Sequence, residues 1–330
     1  MPNVLVTGGT GQLGVYVCEE LIKRGNSVVI YDFKPNLVDI AHFSSKVKVL
    51  SGDVLDLEDL ANVVKTNKIT HVVHLAAMLV LESKERPAKS IRTNCDGTNN
   101  VFEASRLLDV ERTLFTSSVV VYGLEKYYPS MRVNEDDFPH CPPEPYSIAK
   151  FANESMSQFY RETYGLDILC LRLTGAWGPG RYWGYTGRFN DFIKNVALEK
   201  DTTLPEDFAY KNAKLRWLYV KEMASALVYA LFADKSKAKS PLYNAGSSKP
   251  FSSIEVVNSL KRLVPKSRIE FKETDAPTVT SSTIAGPSGL DVDCSRLYDE
   301  LGFRERLSLG DALKDMINFE RGKAEMSLFA

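Results

Sequence analysis

The stretch NVLVTGGTGQLG, residues 3–14, decides the fold. Its apolar first half reads as a short buried strand. Its second half carries Gly8-x-x-Gly11-x-x-Gly14 directly before a helical pattern. Glycines at that spacing permit a tight turn. They also let backbone N–H groups at Gln12 and Leu13 approach a pyrophosphate, and let helix pack closely on strand. A glycine triplet alone reads equally as a flexible turn; its place at the first strand–helix junction makes it a dinucleotide-binding signature.

Outward from this turn, apolar β-branched runs alternate with helical periodicity. Residues 3–8, 27–32, 47–53, 71–77, 112–118 and 167–173 read as strands, and 12–24, 56–66, 90–109 and 146–165 as helices. The runs are nearly continuous in apolarity, which predicts burial on both faces of a parallel sheet. The fold class expected is therefore α/β, a doubly wound parallel sheet of the Rossmann kind, with a smaller, mainly C-terminal α/β portion for substrate. Residues 1–173 with about 215–247 form the expected NAD-binding part, and about 174–214 with 248–330 the substrate part. In the latter, a glycine- and aromatic-rich loop precedes a helix near 188–199, and RIEF (268–271) reads as a strand.

Asp32 ends the second strand, where a carboxylate can accept hydrogen bonds from both ribose hydroxyls and repel a 2′-phosphate. That favours NAD as cofactor over NADP, with Lys34 as the one nearby cation. Asp53-Val54, past the third strand, suits contact with adenine; Asp53 suits equally the N-terminal cap of the next helix.

The totals narrow the partners. Forty-one lysines and arginines against 42 aspartates and glutamates give a net charge of −1, so no basic surplus points to nucleic acid or an anionic membrane. No apolar run approaches the ~20 residues that span a bilayer. Met1-Pro2-Asn3 leads into the first strand without the pattern of a signal peptide. Five scattered cysteines without C-x-x-C read as reduced thiols of a cytoplasmic protein. The four histidines make no metal spacing, so no metal is expected.

Near mid-chain stands PYSIAK, residues 145–150. Tyrosine and lysine four apart are, in isolation, most often an exposed helical pair. Here they stand in a series: TGGTGQLG, the terminal Asp32, GD at 52–53, HLAA at 74–77, Asn94 with GTNNVFEAS at 97–105, SSVVVYG at 117–123, YSIAK at 146–150 and LRLTGAWGPG at 171–180. In that order they resemble the extended short-chain dehydrogenase/reductases, the NAD-dependent epimerase/dehydratase family. The match extends to YNAGS (243–247) and GLDVDCSRLYDELGF (289–303).

Hydride-transfer chemistry makes sense of these residues. Oxidising an alcohol requires removal of the hydroxyl proton as hydride leaves, and a phenol does this only if its pKa falls from about 10. Lys150, one helical turn from Tyr146, places positive charge on the same side. The resemblance implies that Lys150 also holds the nicotinamide ribose and that Ser118 polarises the substrate oxygen, with Ser117 adjacent. It implies that Leu75, Ala76 and Ala77 run along the cofactor. Asn94 is implied to lie near the cofactor or to brace the active-site helix. Helices 97–109 and 146–165 resemble the pair through which the family forms homodimers.

Departures from the family select the reaction. Dehydratases need acid/base carboxylates directly after the hydroxyl residue, where this chain has Val119 and Val120, so sugar-nucleotide dehydration is rejected. The epimerases' diphosphate-binding asparagine corresponds to Gly175. Their arginine corresponds to Leu215, with Arg216 and Lys214 each one place off. The expected substrate is a small molecule walled by Met78, Leu79, Val80 and Leu81 and by Trp177, Tyr182, Trp183 and Tyr185; these aromatics serve equally to pack the C-terminal part. Arg181 or Arg188 is available for a carboxylate. A secondary-alcohol dehydrogenase/reductase is thus expected, with a nucleotide-sugar 4-epimerase as the alternative; a non-catalytic NAD-binding protein is disfavoured by the intact Ser118, Tyr146 and Lys150.

Overall fold

The protein is described from a computed structural model covering residues 1–130, 132–181, 184–205, 208, 215–270 and 290–329. Seven parallel strands form its centre: β1 (Asn3–Thr7), β2 (Ser27–Asp32), β3 (Val47–Ser51), β4 (His71–His74), β5 (Arg112–Ser118), β6 (Ile168–Leu173) and β7 (Leu242–Ala245). Their order is β7-β6-β5-β4-β1-β2-β3. The chain first winds outward from β1 to β3 and then returns to build from β4 on the other side of β1. Between β1 and β4 the sheet therefore opens a crevice at its carboxyl edge.

The eight longer helices are α1 (Gln12–Lys23), α2 (Leu57–Thr66), α3 (Gly97–Leu107), α4 (Pro145–Tyr164), α5 (Gly184–Ala197), α6 (Val220–Leu231), α7 (Ser253–Leu263) and α8 (Leu309–Lys323). Alternation along the strands assigns them to faces. Val4, Val6, Val28 and Ile30 pack with Val17 and Leu21 of α1 and Met223 and Leu227 of α6. The intervening Leu5, Val29 and Tyr31 pack with Leu60 and Val63 of α2 and Val101 of α3. With both faces covered, every residue of β5 is buried, its polar residues included. A second core joins α5, α7 and α8 through Phe189, Phe192, Ile193, Leu260 and Met316.

Three departures from the sequence reading matter for the site. The helix expected over 90–109 is divided: a helical turn at Pro87–Ile91 runs through a π-helical turn, Arg92–Asp96, into α3. The fourth strand ends at His74, so Leu75, Ala76 and Ala77 are extended backbone beyond the sheet edge. Beyond them, Val80–Glu85 forms a short helix where only an apolar segment was expected. Among the described residues no helix is long and apolar enough to cross a membrane.

Candidate active site

A cleft of about 1200 Å³ runs across the carboxyl edge of the sheet, from Asp32 past the glycine turn to Tyr146, Arg181 and Trp217. The turn fits a dinucleotide by its shape. Gly8 has φ +68°, a left-handed conformation, and a Cβ there would lie 2.9 Å from the Ala76 nitrogen. Gly11, the N-cap of α1, brings no side chain to the helix N-terminus, and Gln12 and Leu13 open onto the cleft. That arrangement suits a pyrophosphate. The Gln12 amide donates to the carbonyls of Gly178 and Pro179, at 2.9 and 3.0 Å, and so ties the turn to the loop after β6.

At the adenosine end, the Asp32 Oδ2 accepts from the Thr10 backbone N–H (3.1 Å) and hydroxyl (2.7 Å), and Oδ1 accepts from the Lys34 N–H at 3.2 Å. Two donors on one oxygen and one on the other fix the carboxylate while leaving one acceptor site, on Oδ1. Asp53 and Val54 also line the cleft. The helix cap is Asp56, whose side chain accepts from Asp59 N, whereas Asp53 turns its carboxylate to the Leu55 N–H at 3.0 Å. Of the two sequence alternatives for Asp53, capping α2 is thereby removed.

Pro145 occupies the first turn of α4, and Gly165, left-handed at φ 69°, closes the helix at its other end. Tyr146 and Lys150 share the face of α4 turned to β5. Against the fall expected from the sequence, burial pushes the Tyr146 phenol up to about 12; a hydrogen bond with Ser118 and the Arg181 guanidinium pull against that rise. Burial brings Lys150 down to about 8, and the Glu154 carboxylate opposes that fall. The Lys150 ammonium donates to the Thr116 carbonyl at 2.6 Å and lies 5.5 Å from the centre of the Tyr146 ring. Behind it, His74 is held neutral, its pKa brought down to about 3 by burial and by the Lys150 charge, and it bridges the hydroxyls of Thr7 (2.7 Å) and Thr98 (3.0 Å).

Several sequence expectations are corrected. Asn94 does not line the cleft. Its side chain is spent on the backbone of Met78, accepting from N at 2.8 Å and donating to O at 2.9 Å, while its carbonyl accepts from Asn153 of α4 at 2.6 Å. It braces the wall and the helix instead of touching cofactor. Trp177 is also off the cleft, 1% exposed and packed against Phe189, Tyr219 and Phe251 in the second core. Trp217 takes its place in the cleft wall. Met78, Leu81 and Arg181 line the cleft as expected, whereas Tyr182, Trp183 and Lys214 lie outside the described residues.

Two contacts invisible in the sequence shape the substrate end. The Trp217 indole covers Gly175, so that a Cβ on Gly175 would come 2.5 Å from its Nε1. Arg216 is engaged on both edges. It forms a two-pronged pair with Asp291, Nη2 to Oδ2 at 3.2 Å, and donates from Nη1 to the carbonyls of Ser247 (3.3 Å) and Ser248 (3.0 Å). The signal for these was the departure at Gly175 and Leu215, without any indication of what fills the space.

Comparison with known proteins agrees with this geometry. Residues 4–246 match the family described as NAD dependent epimerase/dehydratase. A UDP-glucose 4-epimerase of Lacticaseibacillus casei is 27% identical over 92% of this chain and 91% of its own. Among solved structures, UDP-glucose 4-epimerase of Thermus thermophilus in complex with NAD superposes with TM-score 0.77 at 24% identity, over 97% of this chain and 99% of that one. L-threonine dehydrogenase of Clostridium difficile superposes with TM-score 0.83 at 21% identity, over 98% of each chain. The glycine turn, the carboxylate closing β2 and the match over nearly three-quarters of the chain lead to one conclusion: this chain belongs to the NAD-dependent epimerase/dehydratase family and is an NAD-dependent enzyme.

Proposed function

We propose that the enzyme moves hydride between NAD and a secondary alcohol or ketone that is not a nucleotide sugar, with Tyr146 as its acid/base. The observation that carries this reading is the indole of Trp217 over Gly175. It occupies the space in which a side chain reaching for a diphosphate would have to stand. Arg216 supports it, because its guanidinium donors are already given to Asp291 and to the carbonyls of Ser247 and Ser248. The remaining wall, from Met78 through Leu81 with Trp217, suits an apolar body. Arg181 lies close enough to Tyr146 for each to feel the other's charge, so it suits an acidic group carried near the reacting carbon.

NAD supplies the hydride acceptor. The chain's own residues handle the proton. Ser118 holds the substrate oxygen next to the Tyr146 hydroxyl, and Lys150 supplies charge behind the phenol. With its pKa near 12, Tyr146 is a proton donor at neutral pH, suited to ketone reduction. Alcohol oxidation needs its phenolate and therefore quickens as pH rises.

The epimerase reading draws its support from the sequence relatives, of which the Lacticaseibacillus casei protein is one. The two readings part when the protein is given secondary alcohols on one hand and UDP-glucose on the other, with NADH and sugar products followed together. NADH that accumulates with an alcohol supports the first reading; isomerised sugar without NADH replaces it by the second.

We further infer a homodimer formed through α3 and α4. Leu107, Ile148, Met156, Phe159 and Tyr164 are each at least 37% exposed on these two helices, an apolar surface suited to a four-helix contact. Sedimentation at micromolar concentration should give twice the 36.9 kDa chain mass, and a monomer would remove this inference.

A further inference from the structure

Glu154 stands one turn beyond Lys150 on α4, so Tyr146, Lys150 and Glu154 follow each other at four-residue steps on one helix face. Its carboxylate is almost inaccessible and is held from two strands. Arg172 of β6 donates to it from Nε at 2.9 Å and Nη2 at 2.7 Å, and the Ser117 hydroxyl of β5 donates at 2.5 Å. The Arg172 guanidinium itself lies 4.6 Å from the centre of the Tyr122 ring. Ser117 immediately precedes Ser118 and follows Thr116, whose carbonyl receives the Lys150 ammonium. One carboxylate therefore joins Arg172 to Ser117, the residue between the one carrying the Ser118 hydroxyl and the one receiving the ammonium.

A buried ion pair of this kind is weak evidence for stability, because desolvating both charges costs several kcal/mol. Its position suggests another use. Lys150 has to remain an ammonium while 4% exposed and packed against the Phe115 ring. The groups facing it are few: Tyr146 and Glu154 from α4, Cys170 from β6, Cys95 from the π-helical turn and His74 from β4. Burial pushes the Cys170 thiol up to about 12 and raises that of Cys95, and His74 is neutral, so none of these three supplies a counter-charge. Glu154 is the strongest influence opposing the burial of the ammonium.

We propose that Glu154 is a positioning residue of the proton-handling centre: fixed between Arg172 and Ser117, its carboxylate keeps Lys150 an ammonium and so keeps positive charge behind Tyr146. This rests on the reading of Tyr146 and Lys150 as the reacting pair, but its test reads Lys150 itself and needs no substrate. The full-length protein is grown with [ε-13C]lysine. The Lys150 resonance, assigned by its absence from Lys150→Arg, is followed from pH 6 to 10.

In the wild type, Lys150 should be charged at pH 7 and titrate near about 8. In Glu154→Gln the midpoint should fall by about one pH unit or more, and Glu154→Asp, which keeps the charge, should stay near the wild type. Should the lone amide leave Arg172 uncompensated and prevent folding, Glu154→Gln/Arg172→Gln replaces both buried charges; because the Arg172 cation is lost with the carboxylate, its Lys150 midpoint should fall too, but by less than in Glu154→Gln. A carboxylate that only braces the fold would alter the unfolding temperature and leave the midpoint in place. An unmoved midpoint in a folded variant, or a Lys150 already neutral at pH 7 in the wild type, overturns the proposal. The first result leaves the hydride-transfer reading untouched, and the second removes from it only the charge placed behind Tyr146, whereas an expected shift in a protein that turns over no alcohol would count against that reading alone.

Discussion

Replacing Tyr146 by phenylalanine is expected to lower turnover by about 100- to 10,000-fold while NAD affinity stays within about threefold of the wild type. The substitution removes one oxygen and keeps the ring, which lines the cleft with the Lys150 ammonium 5.5 Å from its centre. What disappears is the proton donor and acceptor that Ser118 and Arg181 face. The pH profile separates this from a packing effect. Wild-type alcohol oxidation should climb with pH, because the phenol has been raised and its deprotonated form is scarce near neutrality. Residual oxidation in Tyr146→Phe should lose that slope. Steady-state kinetics from pH 6 to 9 with calorimetric NAD titration would decide it; a variant within tenfold of wild-type turnover would remove Tyr146 from the chemistry.

The second large effect belongs to Gly14. A Cβ there would stand 2.7 Å from both the Cα and the carbonyl carbon of Gly9, and closer still to the Gly8 carbonyl oxygen. All three atoms are backbone, and Gly8 is itself held by its N–H to the Tyr31 carbonyl at 2.9 Å. No flexible side chain can give way, so Gly14→Ala must displace α1 from the turn. The expected result is a stability loss of about 2–3 kcal/mol and NAD affinity at least about tenfold weaker. Gly11 offers a contrast in the same motif, since a Cβ there meets only the Gly8 carbonyl oxygen at 3.3 Å. Denaturant unfolding with NAD titration checks both quantities; a Gly14→Ala protein as stable as the wild type and binding NAD equally well would mean that the turn is looser than described.

The glycine turn, Asp32 and the Tyr146–Lys150 pair were legible in the sequence because each depends on local spacing. A helical turn puts residues four apart on one face, and a strand end puts a carboxylate at the sheet edge, whatever the rest of the chain does. Contacts between residues distant in sequence were not legible. Glu154 meets Arg172 across 18 residues and Arg216 meets Asp291 across 75, and nothing local marks either as a pair. The same distance explains the exchange of tryptophans. Trp177 lies in the two-residue strand Ala176–Trp177 and Trp217 directly before its partner Leu218–Tyr219, and only packing decides which enters the second core and which walls the cleft. For Asn94 the family resemblance left open a place near the cofactor or a brace for the active-site helix, and the contact with Asn153 is of the second kind. The π-helical turn carrying it directs its amide to Met78.

We propose that Trp217 over Gly175, with the Arg216 donors taken by Asp291 and the carbonyls of Ser247 and Ser248, leaves no seat for a diphosphate. The most direct measurement incubates the NAD-loaded enzyme with UDP-glucose and, separately, with a panel of secondary alcohols that includes hydroxy acids, recording absorbance at the NADH band together with the products. NADH is expected with at least one alcohol, and neither sugar isomerisation nor NADH with UDP-glucose. Conversion of UDP-glucose to UDP-galactose without net NADH would contradict it.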